Sequence, residues 1–439
     1  MRITSVVGGL LALLIISTTV HAQFSAPMTY RNEGPGIKLS DSMVFHPGIE
    51  LEGRYDSNAL YSEEAVGAPY LRVIGHIDLA TLSPQRLTDG NGKAYPQKVA
   101  FRLKTAVSFR NYFSDNAAVE QQRALEIDAG LGLTLFPQGM FSFSLTDDFA
   151  RTVAPPNAEI ARSLERDTNR AAAKLTFAPG GGLLSFTLGY ALNINIFEDG
   201  DLAYANSLFH EISFNAKWKL LPKTAVFLDV TEQITSYYDR TGGDAAAGIV
   251  NNDSYPIRAY LGLIGLFTPR LSTLVKLGYG NSIHTSDGYE AIDNGSYNML
   301  LAKAEAGYQF TPTGKGKLGY EHNFQDSFIA NYFVDDQIYL GYDHFIGGRF
   351  LLHGQVDYRY RQYKGFPVGG MNDVVIDKLN HHLITLALGF DWQIKEWVYV
   401  GVGYDMQVKS VTDGPKDVQN FFTNDYTKHQ IFGKVGISY

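Results

Sequence analysis

The last ten residues alternate. Ile431, Val435, Ile437 and Tyr439 fall on every second position, and Gly433 completes the row. Gln430, Lys434, Gly436 and Ser438 fill the other face, with Phe432 as the exception. A period of two marks a strand with one apolar and one polar face. The pattern recurs along the chain. Val99, Phe101, Leu103, Thr105, Val107 and Phe109 alternate with Lys98, Arg102, Lys104, Ser108 and Arg110. Leu208, Ile212, Phe214, Ala216 and Trp218 oppose Glu211, Ser213, Asn215, Lys217 and Lys219. Val398, Val400, Val402, Tyr404, Met406 and Val408 oppose Gly401, Gly403, Asp405, Gln407 and Lys409. Counted from Met43 to Tyr439, about eighteen such segments emerge, roughly 22 residues per strand plus connection.

The connections alternate in length. Short turns rich in Pro and Gly fall at 136–139, 179–182, 221–224, 269–272, 312–315, 347–348 and 395–396. Longer polar tips lie between them at 154–165, 198–202, 239–253, 286–295, 364–377 and 412–425. Pro and Gly sit where tight turns want them. Two connections break the rule: 83–97 is long on the short-turn side, and the tip near 327–332 is short.

The N-terminus reads as a secretory signal peptide over 1–22. Arg2 gives the positive end, 6–16 the apolar stretch, and Val20-His21-Ala22 the small-residue cleavage site before Gln23. A retained membrane helix is the competing reading, but the apolar run is short and Ser17-Thr18-Thr19 closes it. Cleavage would take the formal charge from −8 to about −9 by removing Arg2. The chain has no cysteine, which excludes disulfides and a lipid-modified N-terminal cysteine. After residue 22 no segment approaches the roughly 18 uninterrupted apolar residues of a membrane helix. Yet the sequence holds 27 Tyr, 27 Phe and 44 Gly, a composition that fits a lipid-embedded sheet better than a secreted globule. The acidic balance argues against nucleic-acid partners.

Together these features predict an all-β fold: a transmembrane, antiparallel, up-and-down β-barrel of about 18 strands in the bacterial outer membrane. The expected organisation is a signal peptide (1–22), a short periplasmic leader (23–42) and a barrel (43–439). An even strand number would put both ends in the periplasm. The rival folds are a soluble β-sandwich and a propeller, which rarely use strands near 15 residues long.

In such a barrel the apolar face meets lipid and the polar face lines the lumen. Parity therefore nominates lumen-facing charges: Glu50, Glu52, Arg54, Arg102, Lys104, Arg110, Glu126, Asp128, Lys217, Lys276, Asp357, Arg359, Arg361, Asp391, Asp405 and Lys409. Both signs are interspersed, so the wall does not announce strong ion selectivity. A simpler role for any one of them is to pair with a neighbouring strand and stiffen the wall. About eighteen strands leave an aqueous channel. The long connections 239–253 and 364–377 are candidates to fold inward and constrict it.

The search for chemistry finds little. Adjacent strand residues face opposite ways, so Asp147-Asp148, Asp335-Asp336 and His381-His382 are not ready dyads. No Gly-x-Ser-x-Gly elbow, phosphate-binding loop or metal-binding Cys/His spacing occurs. No enzyme activity, cofactor or metal is expected. The acidic tips, such as Glu198-Asp199-Gly200-Asp201, read as solvated surface more readily than as Ca²⁺ ligands.

The opening strand reads His46-Pro-Gly-Ile-Glu-Leu-Glu-Gly-Arg-Tyr-Asp-Ser-Asn58, and Leu277-Gly-Tyr-Gly280, Leu340-Gly-Tyr-Asp343 and Val402-Gly-Tyr-Asp405 repeat a glycine–aromatic centre. These motifs resemble the second-type family of outer-membrane β-barrel porins. A terminal aromatic at Tyr439 is similar to the assembly signal of such barrels, which more often end in Phe. The resemblance implies the outer-membrane assembly machinery and outer-membrane lipid as partners. Some similar barrels accompany bacterial polysaccharide export, which implies periplasmic export proteins as partners and a secreted polymer as cargo. The expected function is a porin-like conduit for hydrophilic solutes or an exopolysaccharide. The alternatives are an outer-membrane platform for adhesion or motility partners with a plugged lumen, and a hydrolase acting at the barrel rim.

Overall fold

The computed structural model describes residues 34–81, 97–153, 159, 164–239, 251–293, 295–368, 375–414 and 424–439. The expected signal peptide, the leader up to residue 33 and nearly all of the 83–97 connection lie outside them.

Nineteen strands follow in order: β1 (Ile37–Ser40), β2 (Met43–Asp56), β3 (Ala68–Thr81), β4 (Val99–Tyr112), β5 (Ala124–Leu135), β6 (Phe141–Thr152), β7 (Arg166–Phe177), β8 (Leu184–Phe197), β9 (Ser207–Leu221), β10 (Thr224–Tyr237), β11 (Ile257–Thr268), β12 (Leu271–Asn281), β13 (Asn298–Thr311), β14 (Gly314–Asp326), β15 (Tyr332–Ile346), β16 (Phe350–Lys364), β17 (Asn380–Lys395), β18 (Val398–Asp413) and β19 (Tyr426–Ser438). From β2 onward each strand is antiparallel to the next. The ring closes where β19 pairs with β2, from Gln430 opposite Asp56 to Ser438 opposite Gly48. This is a closed 18-stranded antiparallel barrel. β1 is an addition that lies in the expected leader: it folds back on the first residues of β2, with Ile37 opposite Phe45.

Closure leaves no sheet edge, so every strand pairs its backbone on both sides and only side chains choose a solvent. The period of two then sorts them. On β2 Ile49, Leu51 and Tyr55 face out, at 54, 42 and 52% exposure, while Glu50, Glu52, Arg54 and Asp56 are buried inside. The same division runs round the ring, with Leu188, Leu261 and Val402 at 57, 63 and 59%. A continuous exposed belt of Leu, Val, Ile and Phe is unstable in water and at home in a bilayer. The barrel therefore sits in a membrane, and a closed strand barrel of this design belongs to the bacterial outer membrane. All three Trp (218, 392 and 397) face out near the short turns, where interfacial aromatics belong.

Glycine has a specific use inside the wall. Phe432 lies over the space beside Gly403, and Tyr399 over that beside Gly436; a Cβ at either glycine would collide with the ring. Bare backbone on one strand thus seats an aromatic ring from the next. At the β15–β16 turn Gly347 and Gly348 take φ of 58° and 70°, which other residues adopt at a cost.

Candidate functional site

The candidate site is the lumen wall together with the loops at its outer end. On the wall, β2 projects Glu50, Glu52, Arg54 and Asp56 inward in succession. Arg54 Nε donates to Glu52 at 2.9 Å, its NH1 reaches Asp405 on β18 at 3.4 Å, and its guanidinium lies 3.9 Å from the centre of the Phe432 ring. Arg72 on β3 bridges Glu52 at 3.7 Å and Glu126 on β5 at 3.0 Å. Tyr399 OH donates to Glu50 at 2.5 Å, and Lys434 pairs with Asp391 at 2.9 Å. Asp56 receives Lys428 at 2.6 Å and Tyr112 OH at 2.9 Å.

The remaining nominated charges spread round the ring. Arg102 pairs with Asp78. Lys104 runs alongside Gly130. Arg110 lies beside the packed rings of Tyr70 and Tyr112, 5.8 and 5.5 Å from their centres. Lys276 sits 3.9 Å from the centre of the Tyr260 ring. Arg359 bonds Asp357 at 2.8 Å, and Arg361 bonds Asp335 at 2.8 Å. Asp128 is exposed and Lys217 half-buried, and neither has an ion-pair partner among the described residues. Most nominated charges therefore carry a partner. Asp335 and Asp336 diverge as their parity requires: Asp335 is buried against Arg361, while Asp336 accepts from Tyr320 OH at 2.6 Å on the outer face.

The loop end differs in kind. Leu164, Phe197, Leu202, Tyr204, Ala205, Phe328, Ile329, Ala330, Phe333, Tyr363, Phe366, Ile376 and Leu379 form one buried apolar cluster. Its members come from the β6–β7, β8–β9, β14–β15 and β16–β17 connections and the strand ends beside them. The β6–β7 and β14–β15 connections are separated by eight strands one way round the ring and ten the other. Contacts between them therefore span the mouth.

Glu159, in the β6–β7 connection, makes that span. It is fully buried; its Oε1 accepts from Ser327 Oγ at 2.6 Å and from the Phe328 N–H at 3.2 Å. Lys409 Nζ donates to its backbone carbonyl at 3.2 Å. Burial pushes the Glu159 carboxyl up to about 7, against the pull of the Arg361 charge and the Ser327 hydrogen bond. Beside it, Phe328 meets Phe197 edge-on at 5.5 Å between ring centres.

Neighbouring loops interlock with this roof. Asn252 donates to Asn331 at 2.9 Å and Asn331 to the Gly295 carbonyl at 3.1 Å. Tyr289 OH donates to the Gly365 carbonyl at 2.8 Å. Of the two connections expected to fold inward, 240–250 and 369–374 lie outside the described residues; the described ends contribute Phe366 and Ile376 to the apolar cluster and Asn252 to the hydrogen bonds around it. Glu159 and the short tip at Phe328 were not foreseen. Their only sequence signals are a short apolar run, Phe328-Ile329-Ala330, in an otherwise polar tip, and an isolated acid beside Ile160. Among the described residues no group of three or more His, Asp or Glu is placed to hold a metal.

No family model matches the sequence, and no curated protein matches it. Solved structures do. OpdK of Pseudomonas aeruginosa, solved with vanillate, is 11% identical, with a TM-score of 0.46 over 90% of this chain and 99% of its own. OccAB4 of Acinetobacter baumannii is 11% identical, with a TM-score of 0.43 over 90% and 98%. The siderophore receptor PirA of P. aeruginosa is 9% identical, with a TM-score of 0.41 over 92% and 81%. Likeness this distant, shared by barrels of different kinds, leaves the fold to rest on the strand pairing described above.

Proposed function

We propose that this chain is an outer-membrane conduit for hydrophilic solutes, with an outer mouth narrowed by its own loops. The observation that carries this reading is the pairing of two unlike regions in one barrel: a charged inner wall in an 18-stranded ring, and an apolar loop cluster spanning one end. A ring of this size leaves room for water, and a polar wall of mixed charge suits a hydrated solute that must not bind too tightly. The role is transport, with no catalysis.

The finer reading is that the solute is a secreted polysaccharide delivered to this barrel by periplasmic export proteins. The motifs at 46–58 and the glycine–aromatic strand centres support it. The platform alternative draws support from the roof itself, since a permanently seated roof would plug the lumen.

Planar bilayers separate the two. The conduit reading expects weakly selective, ohmic conductance that rises when the segment 154–163 is deleted. It also expects a null strain to make its polysaccharide without displaying it. No conductance from any loop deletion, with normal surface polysaccharide in the null strain, would establish the platform instead.

A further inference from the structure

Most charged side chains inside the barrel are matched; Arg166, like Arg110 on β4, is among the few that are not. It stands at the loop end of β7 with 5% exposure. Its guanidinium lies 5.9 Å from the centre of the Phe197 ring, its Nε is buried without a hydrogen-bond partner, and it makes no ion pair among the described residues. Two further unsatisfied atoms stand beside it. Pairing of β7 with β8 sets Arg166, Thr168 and Arg170 opposite Phe197, Asn195 and Asn193. Asn195, at 9% exposure, leaves its Oδ1 without a partner, and Asn193, at 6%, its Nδ2. Asn193 is held in place, its Oδ1 accepting from Arg170 NH1 at 2.8 Å while Arg170 NH2 donates to Glu211 at 2.7 Å.

Buried polar atoms without partners are uncommon, and a guanidinium without an anion more so. Here three unsatisfied residues lie within two neighbouring strands, on the inner face, beside the roof. They offer a cation with free N–H donors, an amide donor and an amide acceptor. A carboxylate satisfies the first, and hydroxyl groups flanking it satisfy the other two. We propose that Arg166, Asn193 and Asn195 form a seat for an acidic saccharide, Arg166 taking the carboxylate of one unit and the two asparagines, further along the strand pair, the hydroxyls beyond it. The seat rests on the conduit reading for how the ligand arrives, and it narrows the solute class from hydrophilic to acidic saccharide. Small free carboxylates share the first contact but not the other two.

Titration calorimetry tests this on the purified barrel carrying Phe328→Ala, which loosens the roof and gives ligands access. The probes are trigalacturonate, neutral maltotriose and acetate. Trigalacturonate should bind at least tenfold more tightly than either of the others. Arg166→Gln should weaken it at least tenfold, Arg166→Lys less, and Asn195→Leu about threefold, in line with charged and neutral hydrogen bonds. Removing Arg166 orphans no carboxylate among the described residues, so the variants should keep the heat-modifiable mobility of a folded barrel. Equal binding of maltotriose overturns the carboxylate contact. Equal binding of acetate overturns the sugar contacts. Unchanged affinity in a folded Arg166→Gln barrel overturns the seat. A roof-deleted barrel that conducts while binding no trigalacturonate removes the seat and leaves the conduit; one that binds without conducting removes the conduit and leaves the seat.

Discussion

The wall and the roof of this barrel are built on opposite rules. The wall puts charge inside and apolar groups outside, because lipid is its outer solvent. The roof reverses this, gathering Phe328, Ile329, Phe366 and Leu379 into a buried centre as a water-soluble domain does. The wall is held by backbone ladders that closure makes obligatory. The roof is held by side-chain packing and a few hydrogen bonds through Glu159, Asn252 and Asn331. Such a difference implies two stabilities in one molecule, with the roof able to open while the wall stays intact.

Variants can break that division. The largest effect is expected at Arg54, which neutralises buried Glu52. Arg54→Ala should cost about 3–5 kcal/mol of barrel stability by leaving the Glu52 carboxylate only its longer contact with Arg72 at 3.7 Å and taking from Asp405 its Arg54 partner, read as a lower urea midpoint in lipid vesicles. Paired replacement of Glu52 and Arg54 by Gln and Met should recover the part of the loss that comes from Glu52 but not the part from Asp405, which stays without its Arg54 contact. Next come two adjacent positions of opposite parity. Leu188→Arg puts a charge into lipid and should cost about 2–4 kcal/mol and impair assembly, whereas Thr187→Arg points inward and should be tolerated. Equal damage from both would contradict the assignment of faces.

The roof answers to pH instead. With the Glu159 carboxyl held up to about 7 when the roof is seated, against an ordinary 4.5, the seated state binds the proton more tightly. The stabilisation is therefore complete below pH 4.5 and is lost as pH rises to about 7, a span of about 3 kcal/mol. Conductance should climb between pH 5 and pH 8, and Glu159→Gln should flatten that dependence while leaving the urea midpoint of the wall unchanged. The smallest effect belongs to the exposed pair Lys315–Asp343, 3.8 Å apart, where Lys315→Ala should change stability by less than about 1 kcal/mol.

The wall was far more legible in the sequence than the roof. Alternation gives strand number, face and register together, because one slip in parity would turn Leu51 inward and Glu52 into lipid. Pairing was only half visible. Parity shows that Arg54 faces the lumen, but its partner Asp405 lies 351 residues away, across the closure between β2 and the last strands. Arg72 and Asp78 escaped notice because Ile74, buried and inward, interrupts the polar row on β3. Roof residues have no periodicity to betray them. Glu159 and Ser327 meet only because two loops on far sides of the ring converge, and no local pattern encodes such a meeting. Arg166 reads in sequence as one more charge at a strand end; its isolation appears only when its neighbours are placed.

The central claim is that seating of the roof sets passage through the wall. The chain contains no cysteine, so a pair introduced at Glu159 and Ser327 can be bridged by a short cleavable thiol cross-linker without competition. Single-channel conductance of that one protein, measured bridged and then after cleavage, tests the claim most directly. The account predicts low conductance when bridged and a several-fold rise on cleavage. The same conductance before and after, with bridging verified on a gel, would contradict it.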